Sequence, residues 1–425
     1  MNVIFICVDA LRWDKIGVVS DSNNSLTPNM DKLAKKGTIF LNHVTVQNAS
    51  APSQASIFTG LYPTTHGVRE NGVSLPKNLK TMAEYFKEDN YTTCGAVGGG
   101  TLGSVYNFNK GFDYFFDNSK YDKLMHICSR IGGRRYNLRK VIKKMKLFDV
   151  FGTPYNVTNK KVLTWLDSHY KEKFFLFVHY FDIHRDTFSK ENKNTKIQSR
   201  EGRYNENAKI VDRAIGELIN KLMQLRIFED SMIIITSDHG EDLEGEANIF
   251  GRFLDKAGVS KIGHGRKITE GQFRTPLIIY KPQLIPQKKI KEFSRSIDLL
   301  PTLLSIINIK QNEQIDGEDL KDSIFKDKEI AKEIFLESYP VFGDIKGIRT
   351  KEWLYILTDG EKEELYDVNR DSDLKKDVSD NNKKIAIKFK VRVKKHFSIP
   401  YEEGERDEYT MDMLRELGYT KEDEK

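Results

Sequence analysis

Apolar residues in this chain fall into short unbroken runs, separated by longer stretches with helical spacing. Asn2–Val8 is nearly all apolar, the pattern of a parallel strand covered on both faces. Thr27 and Pro28 open a helix that runs to Lys36 and stops at Gly37. Thr38–Val46 reads as a strand, Leu79–Asp89 as an amphipathic helix and Tyr91–Val97 as a strand. Helix Tyr155–Ser168 then precedes the strongly apolar strand Lys173–Phe181. The long amphipathic helix Glu206–Leu225 leads to strand Ser231–Thr236, followed by strand Thr275–Tyr280 and helix Ile297–Ile309. This alternation predicts an α/β fold, a mostly parallel sheet sandwiched by helices. From about Glu333 the pattern changes to short strand-like runs (Glu333–Glu337, Gly347–Thr350, Trp353–Leu357) joined by polar turns, then one helix near Lys383–Lys395. That predicts a smaller antiparallel α+β subdomain. The expected division is a catalytic domain over 1–325, a C-terminal subdomain over 326–400 and an acidic tail over 401–425.

Composition narrows the class. The chain has 425 residues, 39% hydrophobic and 31% charged, which excludes a disordered polymer or a coiled-coil rod. Its longest apolar runs are far below the roughly 18 residues that span a bilayer. Three cysteines without CxxC spacing argue against a disulfide framework or a thiolate metal site, so a cytoplasmic setting is expected. The net charge of +6 is local. Lys120–Lys146 carries ten basic residues and one acid, whereas Glu402–Lys425 carries ten acids and four bases. Leu138, Val141, Ile142, Met145 and Phe148 lie at helical spacing against those cations. The basic stretch, an insertion over 120–150, reads as a solvated face or as a lid near the active-site mouth. Such a lid would gather an anionic substrate or touch a membrane surface. No recognition module accompanies it, so nucleic acid is not expected as a partner.

Chemistry in an open α/β sheet collects at the carboxyl ends of strands. Asn2–Val8 runs into Asp9, and Ser231–Thr236 runs into Ser237, Asp238, His239, Gly240, Glu241 and Asp242. Either acid alone could simply cap a turn. Together with His239 they could converge on one divalent cation, zinc or manganese for a mixed carboxylate–imidazole set and calcium for oxygen donors. Ser50 stands in a loop two residues ahead of Pro52, which opens an apolar helix. The N–H groups and dipole at that helix start suit phosphate or sulfate oxygens, and Ser50 is either an ordinary N-cap or a metal-activated nucleophile.

Read together, these segments resemble the sulfatases of the alkaline-phosphatase superfamily. The resemblance rests on Val8–Arg12, Thr27–Ala34, Ser50–Ser53, Thr59–Pro63, His66–Gly67, Thr236–Glu241, Gly263–Gly265 with Lys267, Thr275–Ile279, Ser296–Leu304 and Glu364–Asp367, in that order. It implies an alkaline-phosphatase-like fold and a metal-dependent hydrolase of sulfuric or phosphoric esters. By position it puts Asp9, Asp238 and His239 on one divalent ion, with Ser50 as both ligand and nucleophile. His184, His264 and Lys267 fall on positions that contact the transferred group or protonate the leaving oxygen. In sulfatases the nucleophile is a Cys or Ser oxidised to formylglycine, and in related phosphoesterases an unmodified Ser or Thr. Three positions depart from the pattern. Ala10 stands where a second Asp is usual, Gln54 where the formylglycine signature has Arg, and Val97–Gly103 carries neither the usual Lys nor the usual His. These losses favour an unmodified Ser50, and Arg69 is a candidate to replace the missing Arg charge at the substrate.

Other function classes remain on the sequence. A phosphoseryl intermediate could pass its group to an alcohol, making the protein a phosphotransferase or mutase, or the chain could be an inactive binding homologue. Gly98–Gly103 satisfies GxGxxG after a strand, but no helix pattern follows, against dinucleotide binding. His179, inside an apolar strand, reads first as a core histidine, and His43 and His66 are open between core and site. The substrate expected is a small-molecule, glycan-linked or lipid-linked anionic ester.

Overall fold

The computed structural model describes residues 1–20, 24–117, 152–185, 200–243, 263–265, 267–326, 328, 333–338, 344–371 and 374–398. The basic stretch 120–146 and the acidic tail lie outside these residues. Twelve strands are described, β1 Asn2–Val8, β2 Thr38–Val44, β3 Thr92–Val97, β4 Tyr114–Phe116, β5 Phe174–Tyr180, β6 Ser231–Thr236, β7 Arg274–Tyr280, β8 Lys288–Arg295, β9 Glu333–Glu337, β10 Ile345–Thr350, β11 Trp353–Thr358 and β12 Lys362–Asp367. The helices of seven residues or more are α1 Pro28–Ala34, α2 Ser50–Thr59, α3 Met82–Glu88, α4 Tyr155–His169, α5 Arg200–Gln224, α6 Leu299–Ile306 and α7 Lys383–Phe397. No helix of the described residues is long and apolar enough to cross a membrane.

Strands β1 to β8 form one helix-flanked sheet in the order β4-β3-β5-β1-β6-β7-β2-β8. β1 is parallel to β5, with Cys7 beside His179, and to β6, with Cys7 beside Thr236; β6–β7 is antiparallel. Every residue of β1, β5 and β6 is buried, which is why these segments read as continuous apolar runs. The second sheet, β12-β11-β10-β9, is antiparallel. Ala386, Phe389 and Val393 of α7 cover its Ile348, Tyr355, Leu357 and Leu365.

Helix starts follow local chemistry. Thr81 and Glu84 form a reciprocal capping box that starts α3 at Met82, a turn later than the apolar pattern suggests. The Asp212 carboxylate of α5 accepts from the Asn29 and Met30 backbone N–H groups at the start of α1. The edge strands β4 and β8 were not foreseen. β4 has three residues and β8 alternates lysine with apolar positions, as edge strands do to discourage further pairing.

By packing density the chain divides into two compact units. One comprises Met1–Ile39, Lys80–Ser237 and Leu277–Lys289, the other Phe40–Leu79, Asp238–Pro276 and Ile290–Lys425. The second unit therefore gathers three stretches far apart in sequence, and most of the candidate chemistry lies in it.

Candidate active site

In the first unit the chain leaves β1 at Val8 and turns sharply. Ala10 takes a left-handed backbone (φ 58°), where a Cβ is disfavoured. Three contacts hold the turn. The Tyr204 hydroxyl donates to the Ala10 carbonyl (2.7 Å), the Leu11 N–H donates to Ser237 Oγ (2.9 Å), and that hydroxyl donates to the Val8 carbonyl (2.6 Å). Asp9, between them, is fully buried, and its N–H donates to the Tyr180 carbonyl at the end of β5 (2.9 Å). His179 Nε2 stands 3.4 Å from Asp9 Oδ2. His184 lies just beyond β5 in the 3-10 turn Asp182–Arg185, and its side chain is outside what the structure describes.

In the second unit Ser50 is the first residue of α2, not a loop residue, and extended Ala49 takes the N-cap position. Pro52 falls in the first turn, where its missing N–H costs nothing. The Ala51 N–H of that turn donates to Asn71 Oδ1 (2.9 Å). Ser50 Oγ lies 3.3 Å from His239 Nε2. The other ring nitrogen, His239 Nδ1, is 2.9 Å from the Gly240 carbonyl, which can only accept, so Nδ1 carries the hydrogen. The lone pair of a neutral His239 is thereby aimed at Ser50. Asp238 is held from two sides, its carbonyl accepting from Ser53 Oγ (2.6 Å) and its Oδ1 from the His239 N–H (2.8 Å).

His264 packs its ring 4.2 Å from that of His239, centroid to centroid. Its Nδ1 is 2.9 Å from Glu241 Oε2, and both side chains are buried. The carboxylate accepts, so Nε2 is the nitrogen left for other partners. The segment carrying His264 is pinned by Gln272. Gln272 Oε1 accepts from Asn48 Nδ2 (2.6 Å) and the Gly265 N–H (3.1 Å), while Nε2 donates to Asp242 Oδ2 (2.6 Å). Asn48 Nδ2 also donates to the Lys267 carbonyl (3.0 Å). The Lys267 residue itself is exposed. Arg69 pairs with the buried carboxylate of Glu337, its Nε donating at 3.1 Å.

His43 and His66 resolve as core groups. His66 Nδ1 accepts from the Val68 N–H (3.0 Å) and Nε2 meets Ser56 Oγ (2.9 Å); His43 Nδ1 meets Ser294 Oγ (2.9 Å). Burial pushes the pKa of each down to about 3, so both are neutral near pH 7. The glycines after β3 do not open a helix, as the dinucleotide-binding fingerprint requires. Only the 3-10 turns Gly100–Leu102 and Ser104–Tyr106 follow. The one sequence signal for Glu241 is its place in the Ser237–Asp242 run. Asn48 and Gln272 are single amides that meet each other across 224 residues, so no local pattern marks the pair.

A family model described as Sulfatase matches residues 1–309, and one described as N-sulphoglucosamine sulphohydrolase, C-terminal, matches 263–398. An ulvan-active sulfatase of Formosa agariphila is 28% identical over 396 residues, spanning 84% of this chain and 73% of its own. In fold the chain is similar to Ps i-CgsB (TM-score 0.74, 22% identity, 98% and 97% of the two chains), a protein also solved in complex with k-i-k-neocarrahexaose. A phosphonate monoester hydrolase of Agrobacterium radiobacter aligns with TM-score 0.70 at 17% identity, over 94% and 95%.

Proposed function

The chain belongs to the sulfatase family of the alkaline-phosphatase superfamily and is a hydrolase of sulfuric or phosphoric esters; we propose that Ser50 is its nucleophile and that the ester is carried by a glycan. The observation that carries the nucleophile assignment is the approach of Ser50 Oγ to His239 Nε2, with the His239 ring fixed by the Gly240 carbonyl. An ulvan-active relative and a neocarrahexaose-bound protein of the same fold support the glycan.

Asp9, Asp238, His239 and Ser50 would hold one divalent cation. The donor set fits, because the two acids and the imidazole are all fully buried, where oxygen and nitrogen donors of this kind call for a counter-ion. Two carboxylates and a neutral imidazole suit manganese or zinc better than calcium. When bound, such an ion supplies positive charge against ester oxygens and makes the Ser50 hydroxyl easier to deprotonate. The side chains then divide the work. Ser50 attacks in line from the first turn of α2. His264, with Nδ1 held by Glu241, delivers a proton from Nε2 to the departing oxygen. His184 and Lys267 meet the anionic oxygens. Arg69 is a further substrate contact, but its charge is already shared with Glu337, so replacing it should weaken binding less.

Two measurements test the reading. Mass spectrometry of the Ser50 peptide should find intact serine, because Gln54 replaces the arginine of the formylglycine signature; a loss of two hydrogens would establish the aldehyde instead. His264→Ala should slow esters of poorly departing alcohols by about 10²–10⁴ while sparing esters of acidic phenols. Equal losses for both would remove His264 as the acid.

A further inference from the structure

His179 is a buried group that the reaction as described leaves unused. It lies on β5 beside Cys7 in parallel register, and neither of its ring nitrogens has a hydrogen-bond partner among the described residues. A structural core histidine does better than this. His66 has both nitrogens engaged, and His43 has one. Leaving a buried polar atom unmatched costs about 1–3 kcal/mol, so such a group calls for a reason.

The surroundings have been cleared for this ring. A Cβ on Gly99 would lie 3.2 Å from His179 Cε1 and 3.0 Å from Phe181 Cδ2, and one on Gly98 would lie 2.9 Å from the His179 carbonyl oxygen. The glycines after β3 thus make space for the end of β5. The charged neighbour of the imidazole is Asp9, whose Oδ2 is 3.4 Å from Nε2, with both side chains fully buried.

We infer that His179 is a positioning residue for the cation site. Its Nε2–H turns toward Asp9 Oδ2 and fixes that carboxylate, so that Oδ1 is presented to the ion. The inference rests on Asp9 being a ligand, as proposed above. Hydrogen-bond partners of metal ligands are typically worth 10–100-fold in metal affinity, through ligand orientation and basicity.

The test uses the full chain stripped with a chelator, as wild type, Asp9→Asn, His179→Phe, His179→Gln and Gly99→Ala. Each is titrated with Mn²⁺, read as free ion by electron paramagnetic resonance, and with Zn²⁺ against a chromophoric chelator. Thermal unfolding in chelator checks the fold independently of metal. His179→Phe, which keeps a ring and loses the N–H, should bind both ions 10–100-fold more weakly. His179→Gln, whose amide can still donate, should recover most of that loss. Gly99→Ala displaces the ring without removing it and should also weaken binding, which keeps the idea testable if the phenylalanine variant does not fold. Ion binding that Asp9→Asn abolishes while His179→Phe and Gly99→Ala spare overturns this inference alone. Equal weakening in the Phe and Gln variants overturns it too, because volume and not the N–H would then matter. Wild-type protein that binds neither ion overturns the cation reading and this inference with it.

Discussion

The centre of the large sheet in the first unit and the surroundings of Ser50 in the second differ in what fills them. In the first, β1, β5 and β6 stack apolar side chains on both faces of the sheet, and Phe86 lies flat on Phe175 with ring centroids 4.1 Å apart. In the second, buried space around Ser50 is occupied by Asn48, Ser53, His239, His264 and Gln272, each tied by hydrogen bonds. Apolar packing is tolerant of shape and adds stability in proportion to area, whereas a buried polar network works only if each member is satisfied. Damage should therefore cost stability at the sheet centre and function around Ser50.

Substitutions can break that contrast, beginning with the largest effect. Ser50→Ala should lower kcat by about 10⁴-fold or more, the scale seen when a nucleophile is removed, with thermal unfolding unchanged. Turnover retained in steady-state assays would remove Ser50 from the chemistry. Ile234→Ala, in the centre of β6, should destabilise by about 2–5 kcal/mol in urea unfolding while kcat per folded molecule stays constant. A fall in kcat at full folding would show that packing at the sheet centre also sets the chemistry. Gln272→Leu should do the reverse of Ile234→Ala. It strips partners from Asn48, Gly265 and Asp242, costs about 1–3 kcal/mol, and should lower kcat further than that loss of folded protein explains.

A smaller effect is set by pH. His43 and His66 are held neutral with pKa values of about 3, below the usual 6.5, so the unfolded chain binds more protons than the native one between those values. Their stabilising effect is complete above pH 6.5 and is lost as pH falls toward 3, by about 1.4 kcal/mol per pH unit for each histidine. Urea midpoints at pH 7, 6 and 5 should trace that slope, and His66→Gln should flatten it by half. The smallest change expected is Ala10→Gly. It should stabilise by up to about 1 kcal/mol through relief of the left-handed backbone, and unchanged or lowered stability would show that the turn holds its φ without strain.

Much of this molecule was legible from periodicity. Strands buried on both faces write themselves as apolar runs, so β1, β5 and β6 were placed within a residue or two. The acids that end β1 and β6 stood out for the same reason, as charges at the edge of an uncharged stretch. Edge strands β4 and β8 were invisible because a short or lysine-rich edge lacks that contrast. Ser50 was placed in a loop, because Pro52 reads as a helix opener, although proline sits equally well two residues into the first turn.

The sequence by itself determined the sheet, the family and the residue types available for chemistry, because these depend on local spacing and on order along the chain. What the tertiary structure alone decided is which side chains meet. His239 turns Nε2 to Ser50 because Gly240 claims Nδ1, and His264 is aimed by Glu241. His179 reaches Asp9 because two strands more than 160 residues apart pair in register and glycines beyond β3 leave room for the ring. Spacing along a chain carries no record of such contacts, which arise from hydrogen-bond direction and excluded volume once the strands are assembled.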